Sequence, residues 1–169
     1  MVFIIETTYD QSAMKALARG LRKTLRRKRS RRSHILGTIV VFLGLLLLFS
    51  KDSFDLQSAV TIAAVIAILS AFLLEDELNG RTAQKRSIPG LDSAVTTFHD
   101  DHYHSVTALG ETTFCYDKIQ ALAETKEHFL FLFSPNHGQV YSKAGMTHGT
   151  ETEFKLFIAE KTKLTFVQI

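Results

Sequence analysis

The chain of 169 residues has one cysteine, two prolines and no tryptophan. A single cysteine, Cys115, cannot close an internal disulfide. Flanked by Phe114 and Tyr116 in a strand-like segment, it reads as a buried structural thiol with no base nearby in sequence to activate it. Proline is missing between Asp10 and Ser50, so nothing there forces a helix to stop. Charge is missing from two long stretches, Ile35–Ser50 and Leu56–Leu74, which leaves no proton or ion relay inside them and argues against a pump or ion-coupled transporter. A nucleophile elbow, a phosphate-cradling glycine loop and a His-Glu-x-x-His pair are lacking too. No cleavable signal peptide is expected, because polar and basic residues 6–34 precede the first apolar run. The reading is a non-enzymatic protein without a cofactor.

What is present are those two apolar stretches. At 1.5 Å per residue, about 20 apolar residues cross roughly 30 Å of hydrocarbon, and the second stretch has that length. Ser33 and His34 extend the shorter first one, and flanking arginines can reach the headgroups. The expectation is a transmembrane hairpin over residues 35–76, with spans at about 35–50 and 56–74. Ala59, Ala63 and Ala67, spaced by four, suit a close seam against the first span.

A basic run, Arg26, Arg27, Lys28, Arg29, Arg31 and Arg32, stands just before the first span. Basic residues near span ends stay in the cytoplasm. The loop Lys51–Asp55 is nearly neutral, whereas Arg81, Lys85 and Arg86 follow the second span, so both termini are expected inside. The run then contacts anionic headgroups, at about 1 kcal/mol per basic residue, rather than nucleic acid.

Along the rest of the chain, residues 1–9 hold a short strand (2–7) that is odd as an isolated tail and is expected to join a C-terminal sheet. Residues 10–34 read as one basic amphipathic helix, with Asp10 as N-cap and Met14, Leu17, Ala18, Leu21 and Leu25 on one face. That face suits either a membrane surface or the C-terminal sheet. Residues 77–90 read as a linker, with Asn79-Gly80 inside it and Ile88-Pro89-Gly90 at its end. From 91 to 169 the pattern turns to β, with segments at 94–98, 103–109, 112–116, 119–123, 128–133 and 139–142. His128–Phe133 is apolar on both faces, as in a strand covered on both sides. Thr150 and Glu153 form a capping-box pattern ahead of a helix with Phe154, Phe157 and Ile158 on one face.

The segment His99–His104 invites a metal reading. His102 and His104 point to one face of a strand and, with Asp100 or Asp101, offer nitrogen and oxygen ligands. His128, His137 and His148 show no telling spacing, so the stretch reads as a polar hairpin turn and no metal is expected.

Thr112–Ile119, continuing through Ala123–Phe133, Val140–Lys143 and the helix with Glu153, Phe154 and Phe157, resembles the YcxB-like family of bacterial membrane proteins. The family's usual tryptophan is Tyr116 here, and its frequent proline before the lysine is Ser142. The resemblance implies a C-terminal domain similar to pleckstrin-homology (PH) modules and carries over no catalytic residues. The fold class expected is therefore an α+β membrane protein: a two-helix transmembrane hairpin plus a small antiparallel β domain closed by a C-terminal helix, PH-like. Its expected place is the bacterial cytoplasmic (inner) membrane. Its expected partners are membrane lipids and a protein partner or a second copy of itself, and no nucleic acid. Two roles follow: a module docking a protein partner or lipid headgroups, or an immunity protein guarding the producing cell against a membrane-targeting toxin.

Overall fold

The computed structural model describes residues 2–50, 53–85 and 92–169. The expected boundary at Ile88-Pro89-Gly90, Arg86, and Lys51-Asp52 of the inter-span loop lie outside the described residues. The chain forms two compact units, one from residues up to Arg26 together with Asp76–Ile169, the other Arg27–Glu75.

In the first unit, β1 (Phe3–Thr8) precedes α1 (Gln11–Lys23). After the second unit come β2 (Ser93–Phe98), β3 (His102–Thr107), β4 (Gly110–Cys115), a 3-10 turn at Tyr116–Lys118 and β5 (Ala121–Glu124). These are followed by β6 (His128–Ser134), β7 (His137–Ser142), β8 (Met146–His148), α4 (Glu151–Thr162) and β9 (Phe166–Gln168). One sheet has the order β4-β3-β2-β1-β8, the other β7-β6-β5-β9. Strand β1 lies inside the first sheet, antiparallel to both β2 and β8. The sheets are antiparallel except at one place: β9 runs parallel to β5, which corrects the all-antiparallel expectation.

Alternation builds the core. Phe3, Ile5 and Thr7 of β1 point inward and Glu6 and Thr8 outward, the period of a half-buried strand. β6 is buried on both faces. Phe129 and Phe131 join Phe3, Phe98, Tyr103, Tyr141 and Phe154 in an aromatic cluster. Leu130 and Leu132 pack instead with Ala13, Ala16 and Leu21 of α1. Each such side chain contributes about 1.5–3 kcal/mol by leaving water. The amphipathic face of α1 is thus used on the sheet. Helix α4 opens with the full Thr150/Glu153 capping box and ends at Lys163 in the left-handed region, φ 58°. Its Phe154 ring lies 4.9 Å from Phe98 and 5.0 Å from Phe129.

Two expected boundaries are corrected. The basic helix does not run unbroken from 10 to 34: α1 ends at Lys23 and a new helix, α2 (Arg27–Phe49), begins at Arg27. Thr24 departs from helical geometry, and both its N–H and its hydroxyl bond to Gly20 O, at 3.1 and 2.6 Å. These bonds close the helix without proline. The expected linker is helical over 77–85, because α3 (Leu56–Lys85) continues past the apolar stretch. There, Arg22 grips Asp76 with two bonds of 2.6 and 2.7 Å, and Lys15 meets Glu77 at 2.6 Å. Gly80 acts as a contact point rather than a turn: a Cβ on it would stand 2.9 Å from the Lys15 backbone.

In the second unit, Asp55 caps α3 by accepting from Ser58 N and Oγ, both at 2.8 Å. The seam between α2 and α3 is set by glycines of α2. Gly37 leaves room for the Phe72 ring, Gly44 faces Val65 and Thr61, and His34 stacks on Phe72 at 4.5 Å. Ala63 and Ala67 are exposed, so the expected alanine seam is not the contact used. Both helices are long and apolar enough to cross a membrane, and only 0% and 6% of the residues in their most apolar windows are buried.

Candidate functional site

The basic run is divided between the units. Arg26 is occupied: its guanidinium donates to Pro135 O and, at 2.8 Å, to Asn136 Oδ1 on the β6–β7 turn. Arg27, Lys28, Arg29, Arg31 and Arg32 are exposed on the first turns of α2, and none forms an ion pair with a described residue. No acid stands in that first turn. Cations at a helix N-terminus oppose the macrodipole, each by about 0.3–1 kcal/mol, so the sequence of this turn works against the helix rather than for it.

The histidine stretch is a braced turn. His102 Nδ1 pairs with Asp101 at 2.7 Å, while His104 Nε2 pairs with Glu111 at 3.3 Å. Tyr116 OH donates to His99 O at 2.7 Å and Lys161 holds Asp100. His102 and His104 share a face but serve different carboxylates. Among the described residues no three His, Cys, Asp or Glu side chains are grouped to hold a metal. Cys115 is exposed, not buried as expected. The reason is strand parity: Phe114 turns inward to stack on Tyr103 at 5.2 Å, so its neighbour turns out.

Sequence reading missed three features. One is a buried charge cluster in which Lys143 bonds Glu124 at 2.8 Å and Glu151 at 3.0 Å, with Lys155 on the other Glu124 oxygen. Burial opposes ionisation of Glu124, but hydrogen bonds from Lys143 and Lys155 outweigh it and hold the carboxyl below its usual range. Mutual satisfaction makes this a structural brace.

The second is a groove of about 350 Å³ between α1, β3–β4 and β7. Its walls include Met14, Leu17, Phe114 and Val140, with Ser105, Thr112 and Gln139 as polar points and no charged side chain. Gln139 Oε1 accepts from Tyr103 OH at 3.0 Å and also from Tyr141 OH. Burial pushes both phenols above their ordinary range. Such a lining suits an uncharged, partly apolar occupant. The third is a mixed-charge cleft at the start of α1, where Ser12, Lys126, Glu127 and His128 meet. Burial lowers the His128 pKa, leaving the imidazole neutral at pH 7.

The molecule is thus an α+β protein that joins a two-sheet, helix-closed domain to a pair of helices long and apolar enough to cross a membrane. Residues 98–158, from the end of β2 into α4, match the family model described as YcxB-like protein. The chain resembles that family over this segment, which contains Thr112–Ile119, Ala123–Phe133, Val140–Lys143 and Phe154, on which the resemblance rested, and none of the N-terminal half. No curated protein and no solved structure matches the chain.

Proposed function

We propose that this chain is a non-enzymatic integral protein of the bacterial cytoplasmic membrane with both termini inside. Its two-sheet unit serves as a docking module for a protein partner or lipid headgroups. The observation that carries the reading is β1 pairing with β2 over Phe3↔Phe98 to Thr8↔Ser93. These strands flank the apolar helices in the chain, and strands of one sheet share one side of a bilayer, so the number of crossings between them is even. The exposed bases at the start of α2, with Arg81 and Lys85 near the end of α3, support a cytoplasmic side for that sheet by the positive-inside rule. Anionic headgroups supply the charge that the N-terminus of α2 needs.

Reporter fusions at the two ends, combined with alkaline extraction of membranes, test the topology. Both reporters should be active in the cytoplasmic state and the protein should stay in the pellet. Reporters active in opposite compartments, or release into the alkaline supernatant, would overturn it. For docking, a photoreactive residue at Leu17 in the uncharged groove should give a discrete adduct in native membranes. No adduct above that of a photoreactive residue at exposed Glu160 would count against the groove.

A further inference from the structure

The edges of the two sheets are β4 and β8 in one, β7 and β9 in the other. β8 and β9 are three residues long, and short edges offer little to pair with. β7 lies alongside β1 and α1, and Ser142 N donates to Thr7 Oγ1 at 3.1 Å. β4 differs. It is six residues long, Gly-Glu-Thr-Thr-Phe-Cys, with no lysine, proline or bulge to discourage another strand.

The ladder fixes which of its backbone groups are open. His99 N donates to His102 O at 2.9 Å, so residues 102, 104 and 106 of β3 turn their backbone groups toward β2. Residues 103, 105 and 107 then bond β4 through their partners Phe114, Thr112 and Gly110. By the same alternation, Glu111, Thr113 and Cys115 aim N–H and C=O away from the sheet. All three residues are exposed.

We propose that β4 pairs antiparallel with β4 of a second copy of this chain, about a two-fold axis at Thr113. This register uses all three outward residues: Thr113 faces its own counterpart and Glu111 faces Cys115 of the second copy. A Thr–Thr cross-strand pair is favourable, whereas a register centred on Glu111 sets like charges opposite each other. Glu111 is also offset within its own chain by His104, at 3.3 Å. The first sheet becomes continuous across the two copies. Self-complementarity of the outward pattern, with Thr113 on its own counterpart and no like charges opposed, is what favours a second copy over a foreign strand.

The test uses the full chain in detergent. In the double variant Thr113→Cys, Cys115→Ser, the two thiols sit on residues whose Cα atoms are about 5.5 Å apart, within disulfide reach. Mild oxidation should convert most of it to a dimer that reductant reverses. Wild-type protein should stay monomeric on the same gel, because the two copies of Cys115 lie about 13 Å apart along the ladder. Thr113→Lys, at an exposed position, should weaken the wild-type dimer seen by sedimentation at least tenfold without changing the melting curve. The proposal is overturned by a wild type that sediments as a monomer, by equal cross-linking through Cys115 on the gel, by a dimer indifferent to Thr113→Lys, or by a foreign polypeptide cross-linked at position 113 in its place.

Discussion

Phe131 and Phe42 are the same residue in opposite circumstances, one 0% exposed between two sheets and the other 60% exposed on α2. The contrast extends to the units that hold them. The unit with both sheets encloses Phe3, Phe98, Phe129 and Phe154 completely, whereas Arg27–Glu75 leaves Leu36, Leu47, Ile66 and Leu73 mostly uncovered. Leaving one such side chain in water forgoes about 1.5–3 kcal/mol. A soluble surface rarely carries so large a contiguous apolar area. The difference teaches that apolar residues in this chain are used in two ways: in one unit the protein itself is the apolar phase, and in the other, under the proposed topology, a bilayer would be.

That contrast can be broken most forcefully at Phe154. Phe154→Ala empties the centre of the aromatic cluster and should cost about 3–5 kcal/mol, read by thermal unfolding of the detergent-solubilised chain. On the other side, Leu46→Arg leaves the sheets untouched. It should cost about 2.5–3.5 kcal/mol of membrane insertion, seen as a larger fraction released by alkaline extraction. If the arginine changed neither insertion nor extraction, the bilayer reading of α2 would fail.

A smaller effect belongs to Glu124→Gln, at about 1.5–3 kcal/mol for the loss of charged hydrogen bonds to Lys143 and Lys155. The sign with pH follows from its lowered pKa. The stability it contributes is present above the ordinary carboxyl value and is lost as pH falls through the lower folded value. Acid melts of the variant should therefore be flatter than those of wild type below about pH 4.5. Smallest is Cys115→Ser, within about 0.5 kcal/mol because the side chain is on the surface. The native thiol should react with a maleimide before unfolding, and a protected thiol would return it to the core.

Much of this was legible because local pattern and final structure agree. Alternation in Val2–Thr7 marks a strand, Thr150 and Glu153 announce a helix, and unbroken apolar runs mark α2 and α3. What escaped depends on distant partners. Asp76 and Glu77 hold Arg22 and Lys15, more than fifty positions away. The break at Thr24 carries no proline or glycine signal of its own and is closed by hydrogen bonds to Gly20. β8 and β9 are too short to show a period, and Cys115 was assigned the wrong face because a run of three apolar residues conceals parity. Of the candidate sites, the bases of α2 could be read directly. The uncharged groove could not, since α1, β3–β4 and β7 meet only after folding.

The inner position of β1 has a consequence for synthesis. Its neighbour β2 leaves the ribosome about 85 residues later, some 4–17 s at 5–20 residues per second. β8 follows later still. In the proposed topology the hairpin enters the bilayer during that wait, so lipid anchoring precedes assembly of the sheet. A nascent chain stalled after α3 has emerged and before β2 has should already resist alkaline extraction while its first eight residues remain open to protease.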